Sequence, residues 1–215
     1  IQALQQQCDQ TLEAMKKQAG RLTSLRQKAA SVVERQMKEK LIPLGIPNVQ
    51  FKVELTPKEV PDETGTDKIN FLFSANKNGQ LQPISQVASG GEIARVMLSL
   101  KAMISGAVKL PTIIFDEIDT GVSGSIAEKM AHIMQEMGAL NRQVISITHL
   151  PQIAALGSTH YKVYKEDHAE GTSSHIVQLD EKGRVEEIAH MLSGTTLTDA
   201  AINNAKELLN QSYRK

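Results

Sequence analysis

At 215 residues and 40% hydrophobic, the chain is long enough to bury one substantial core. Its 24 basic and 24 acidic residues cancel, which excludes a global field drawing it to nucleic acid or a membrane surface. Aromatics at 3% without Trp argue against a base-stacking platform, the lone Cys8 excludes an internal disulfide and implies a reducing cytoplasm, and no apolar run is long enough for a membrane span.

The chain opens on Ile1, inside a helical pattern and with no signal-peptide signature, so it reads as a fragment of something longer. Residues 1–42 hold one glycine, Gly20, and no proline. With Ile1 as heptad position a, the a series runs Ile1, Cys8, Met15, Leu22, Ala29 and Gln36, and the d series Leu4, Thr11, Gln18, Leu25, Val32 and Glu39. The stripe is mostly apolar, so a coiled-coil arm is expected over 1–42, with 43–215 as the globular part. Packing of this helix along its own domain is the alternative. Its basic residues Lys16, Lys17, Arg21, Arg26 and Lys28 read as a solvated face rather than a DNA-binding one.

Pro43, Gly45 and Pro47 stop the helix. Val49, Phe51, Val53 and Leu55 alternate with polar residues as a half-buried strand, and Ile69, Phe71 and Phe73 form a second. The segment 56–67 between them reads as a polar loop. Ile93, Val96, Met97, Leu100 and Ile104 fall at helical spacing. A strand at 112–115, a helix at about 124–137 and a strand at 143–148 make a β–α–β unit. A strand pair near 160–165 and 174–180 and helices near 184–192 and 197–212 complete the chain.

Three motifs carry chemistry. Ile113, Ile114 and Phe115 run directly into Asp116 and Glu117, and Val144–Ile147 into Thr148 and His149. Short β-branched runs of this kind read as buried parallel strands, and open parallel sheets bind ligands at the carboxyl ends of their strands. A strand-end Asp116 suits Mg²⁺ beside nucleotide phosphates, and Glu117 could deprotonate an attacking water. The plainer alternative is a capping pair for the next helix. In VASGGE, residues 87–92, Ser89 stands at an N-cap position, and Gly90 and Gly91 let a phosphate approach a helix N-terminus. An ordinary capped turn would look the same. His149 could hydrogen-bond a γ-phosphate or a water, or be a structural histidine.

Taken together in this order and spacing, the motifs resemble the carboxyl-terminal lobe of an ABC-type ATPase head. ASGGE looks like the signature motif, IIFDE like the Walker B strand, TGVS like the D-loop and His149 like the switch histidine. The phrases QVASGGEIARVMLSLK, FDEIDTGVSG, ITHLPQIAA and EKGRVEEIAHMLSG are similar to those of the RecN family, bacterial DNA-repair ATPases related to the SMC proteins. The resemblance spans nearly the whole chain. It implies an α/β fold, the carboxyl-terminal lobe of a P-loop-type head with an amino-terminal coiled-coil helix that is the returning strand of a longer arm.

What the resemblance further implies is a division of labour. Asp116 would hold Mg²⁺, mostly through water; Glu117 would be the general base; His149 would face the γ-phosphate. Ser89, Gly90, Gly91 and Glu92 would meet ATP held by an opposing head, with Asp119, Thr120, Gly121 and Ser123 as the D-loop region. The implied partners are the amino-terminal half of the same protein, a second head and DNA at double-strand breaks, in the nucleoid. Three departures stand out: Ala88 and Glu92 replace the common Leu and Gln, Ser123 replaces the usual Asp, and no GxxxxGK[ST] phosphate loop occurs. Without that loop this chain alone is expected to be inactive. A transporter nucleotide-binding subunit shares the motifs but lacks such an arm before the signature. A non-enzymatic assembly module pairing through residues 1–42 is the third reading.

Overall fold

The computed structural model describes residues 2–86, 90–108, 110–168, 171–194 and 196–211. They divide into two compact units, Ile1–Ser99 and Leu100–Lys215.

The first unit begins with α1 (Gln2–Leu41), a 40-residue helix. Good helix formers fill it, and Lys38 and Lys40 in its last turn complement the helix dipole. Pro43 stands two residues past its end, and the chain turns into β1 (Gln50–Asp62), which pairs antiparallel with β2 (Gly65–Ser74). A two-residue β3 (Gln82–Pro83) joins β2 at Leu72 and Phe73. The pairs Phe51↔Phe73 and Leu55↔Ile69 match the expected alternation. Phe51, Phe73, Leu41, Leu44 and Val49 are buried. The expected polar loop over 56–67 is instead the tip of this hairpin. Its backbone stays paired through Pro57↔Asp67, the register shifts, and the turn closes at Asp62↔Gly65. Polar side chains do not prevent pairing at an exposed tip. Here Asp62 accepts from Lys58 Nζ and then from the Thr64 hydroxyl and N–H, bonds that hold its carboxyl at a pKa of about 2.

The later part of α1 lies against the hairpin. The Thr23 hydroxyl donates to Asp67 Oδ1 at 2.8 Å, and Arg26 Nη1 lies 2.9 Å from Asp67 Oδ2 while its Nη2 donates to the Thr64 carbonyl. Farther along, Glu34 Oε1 accepts from the Val53 N–H at 2.9 Å. Arg26 first, then Thr23, lowers the Asp67 pKa below the ordinary carboxylate value. Most of the described heptad positions stay in solvent: Leu4 is 71% exposed and Leu25 55%. Only Ala30, Met37 and Leu41 of the helix are buried.

Helix α2 (Gly90–Ala107) begins in the first unit and ends in the second. The second unit continues with β4 (Thr112–Asp116), α3 (Gly124–Ala139) and β5 (Gln143–Ile147). The two strands are parallel, with Thr112↔Gln143 at one end and Asp116↔Ile147 at the other. Burial on both faces was the expectation for these strands, and it fails on one. Ile113 and Phe115 are buried, whereas Ile114 is 56% exposed, and Ile145 and Ile147 are exposed with it. The pair is thus covered on one side among the described residues.

A short α4 (Pro151–Ala155), with Pro151 in its first turn, follows β5. β6 (Tyr161–His168) and β7 (Gly171–Gln178) form an antiparallel hairpin, and α5 (Glu181–Ser193) and α6 (Asp199–Gln211) pack together through Ile188, Ala189, Ala205 and Leu209. Asp180 caps α5 by accepting from the Gly183 N–H at 2.7 Å. Arg184 is buried, and its Nη2 donates to the Gly157 carbonyl. Burial, then the Arg184 charge, pushes the His160 pKa below its usual value.

Candidate functional site

The carboxyl ends of β4 and β5 gather the chemistry-bearing residues of the second unit. Asp116 is the last residue of β4 and sits opposite Ile147. One residue on, the Glu117 N–H still donates to the Ile147 carbonyl, at 3.2 Å, so the ladder carries the chain one step past the strand. There the backbone leaves the β region: Glu117 has φ 47°. A non-glycine residue in the left-handed region costs about 1–2 kcal/mol. The turn that follows holds it, because the Glu117 carbonyl accepts from both the Thr120 N–H and the Thr120 hydroxyl. Both carboxylates, Asp116 and Glu117, are exposed. Strain of this kind, kept on an exposed acidic residue at a strand end, is characteristic of residues held for function.

Asp119 behaves differently. Its side chain is 1% exposed, turned inward onto the end of β5. The Thr148 hydroxyl donates to Asp119 Oδ2, and the His149 N–H donates to the same oxygen at 3.3 Å. His149 Nδ1 lies 3.6 Å from Asp119 Oδ1, with the ring mostly exposed. The Thr148 hydroxyl also accepts from the Leu150 N–H at 3.0 Å. One buried carboxylate therefore ties the loop after β4 to the two residues after β5. It fixes where His149 leaves the sheet.

The rest of the loop is built to bend. Gly121 has φ 72°, which glycine adopts without steric cost. Val122 is buried and anchors the loop, leaving Thr120, Gly121 and Ser123 exposed. Ser123 is the N-cap residue of α3 by its extended backbone, but its side chain makes no capping bond.

Asp116, Glu117, Asp119 and His149, predicted from sequence, thus meet at one end of one parallel pair. Asp119 turns inward rather than toward solvent, and Thr148, named beside His149 but given no role from the sequence, is the residue that holds it. A threonine directly before the strand-end histidine was the available signal. The signature turn is in the other unit: Gly90, Gly91 and Glu92 form the first turn of α2, with open space where a Gly90 Cβ would stand. Ser89, expected as its cap, lies outside the described residues. Hard carboxylate oxygens exposed at strand ends are a donor set that suits Mg²⁺, so Asp116 and Glu117 fit a metal–nucleotide site in chemistry.

Comparison with known structures defines the class. The Smc head domain with a coiled coil and joint from Pyrococcus yayanosii matches 89% of this chain and 34% of its own at a TM-score of 0.64 and 19% identity. The Pyrococcus furiosus Smc head with an extended coiled coil matches 81% of this chain and 41% of its own at 0.54 and 19% identity. The fold is that of the carboxyl-terminal lobe of an SMC-type ATPase head.

Among curated proteins, the DNA repair protein RecN of Halalkalibacterium halodurans is 35% identical over 211 residues, covering 94% of this chain and 37% of its own. Those of Bacillus subtilis and Rickettsia typhi are 34% and 37% identical, covering 99% and 90% of this chain and 39% and 35% of theirs. No protein-family model matches. The chain belongs to the RecN family and corresponds to the carboxyl-terminal portion of its members, spanning little more than a third of their length.

Proposed function

We propose that this chain is the carboxyl-terminal part of an SMC-like ATPase acting in DNA double-strand-break repair and recombination. The observation that carries the reading is the convergence of Glu117 and the Asp119–Thr148–His149 tie at the carboxyl end of the β4–β5 pair. Asp116 contributes to holding Mg²⁺, which when bound offsets phosphate charge. Glu117 accepts the proton of the attacking water, and His149, placed by Asp119, hydrogen-bonds the γ-phosphate. Gly90, Gly91 and Glu92, with Ser89, act on ATP held by a second head through backbone N–H groups at the start of α2. Asp119, Thr120, Gly121 and Ser123 form the D-loop that follows β4.

The amino-terminal half of the same protein supplies the phosphate loop and the other strand of the arm. Two features support such a partner: the exposed heptad positions of α1 and the uncovered face of β4 and β5. ATP then holds two heads together, hydrolysis releases them, and DNA is the substrate on which the assembly works. A place in the cytoplasm, with the nucleoid, follows from this reading. No helix among the described residues is long and apolar enough to cross a membrane.

The test is complementation. The chain alone is expected to show no ATPase activity, and co-expression with the amino-terminal half is expected to restore it. In the restored protein, Glu117→Gln abolishes turnover while nucleotide still holds the dimer. Turnover by the isolated chain, or full turnover with Glu117→Gln, refutes the assignment.

A further inference from the structure

The β6–β7 hairpin carries a cluster of titratable side chains outside the β4 and β5 strand ends. Strand alternation puts Tyr164, Glu166 and His168 on one face of β6, and the register sets His175 opposite Tyr164 and Ser173 opposite Glu166. His175 is thus diagonal to Glu166 on the same face. Glu166 Oε2 lies 3.4 Å from His175 Nε2 and 3.9 Å from His168 Nε2. One ligand atom from each of the three residues falls within 4.8 Å of the others.

Ordinary surface pairing explains this cluster poorly. Nε2 of His175 is shielded from solvent and makes no hydrogen bond, although the carboxylate is close. The Tyr164 ring stacks on the His175 ring, with centroids 5.3 Å apart and planes at 23°, which fixes the imidazole plane. An isolated exposed ion pair would contribute little and would not need such fixing. A tetrahedral Zn²⁺ with bonds of about 2.0–2.1 Å holds its ligand atoms about 3.3 Å apart. The Glu166–His175 pair is already at that separation, and a small swing of His168, at the exposed strand end, brings in the third.

We propose that Glu166, His168 and His175 bind a divalent transition-metal ion of the zinc class, with water in the fourth position. Two imidazoles and one carboxylate form a donor set that favours zinc over magnesium or calcium. The ion bridges β6 and β7 across the hairpin. A two-stranded ribbon is marginal by itself, and an ion that binds only the paired strands favours pairing by mass action.

Titration calorimetry of the full chain with zinc chloride tests this, alongside imidazole ¹⁵N spectra. One Zn²⁺ per chain is expected, with Nε2 of His168 and His175 shifting together. The double substitution His168→Ala, His175→Ala removes the site, Glu166→Gln weakens binding by at least about tenfold, and His132→Ala, on α3 and outside the cluster, leaves it unchanged. Glu166→Gln is nearly isosteric and keeps the test valid should the double variant fold poorly. Absence of zinc binding, zinc binding unchanged in Glu166→Gln, or shifts confined to other histidines overturns the proposal.

Discussion

Replacing Thr148 by Val keeps shape and β-branching but removes the hydroxyl that donates to Asp119 and accepts from Leu150. The Asp119 carboxylate then stays buried without the hydroxyl donor, keeping the His149 N–H at 3.3 Å. A hydrogen bond to a charged group contributes about 1.5–3 kcal/mol, and an unsatisfied buried partner adds to the loss. The expected destabilisation is about 2 kcal/mol, which for a chain of this length lowers Tm by roughly 4–8 °C. Thermal unfolding followed by circular dichroism reads it directly. Thr148→Ser, which keeps the hydroxyl, should cost under about 1 kcal/mol. A double-mutant cycle isolates the contact: with Asp119→Ala in place, Thr148→Val should cost at least about 1 kcal/mol less than in the parent. Equal costs in the two backgrounds refute the tie between the loop and the histidine segment.

Two further outcomes follow from local geometry and charge. At Glu117, φ 47° makes substitution outcomes diverge by backbone preference rather than packing, since the residue is exposed. Glu117→Gly should leave stability unchanged or slightly raised, while β-branched Glu117→Val should lower it, a difference of about 2 kcal/mol measurable by urea unfolding. The lowered pKa of Asp67 means that its ion pair with Arg26 stabilises fully above the unfolded-state carboxyl value, about 3.9, and that this contribution is lost as pH falls through the folded-state value. Asp67→Asn should therefore lower stability at neutral pH and flatten its dependence below about pH 4, read by unfolding at a series of pH values.

Much of this architecture was legible in the residues. Periodicity located α1, the β4–α3–β5 unit and the two final helices, because each carries apolar residues at the spacing of its element, even though in α1 most of that stripe stays in solvent. The hairpin tip over 56–67 was not legible, since pairing there is held by backbone bonds and by the Lys58–Asp62–Thr64 cluster rather than by alternating apolar residues. The motifs located Asp116, Glu117 and His149, but not how they are held. The Asp119–Thr148 bond joins residues 29 positions apart, and nothing in a glutamate announces a left-handed backbone at Glu117. The Glu166–His175 proximity depends on strand register, which residue pattern alone fixed only loosely on this two-sided, exposed hairpin.

The bonds from Thr23 and Arg26 to Asp67 give the long helix a fulcrum. Toward its carboxyl end, α1 is anchored to the hairpin, again at Glu34 and Val53. Toward its start, the 21 steps from Gln2 to Thr23 make a free lever of roughly 32 Å. A tilt of about 10° at that pivot sweeps the tip through about 6 Å, given a rise of about 1.5 Å per residue. A displacement of less than an ångström beside Asp67 is thus multiplied severalfold at the far end, and the gearing ratio is set by where that aspartate meets the helix.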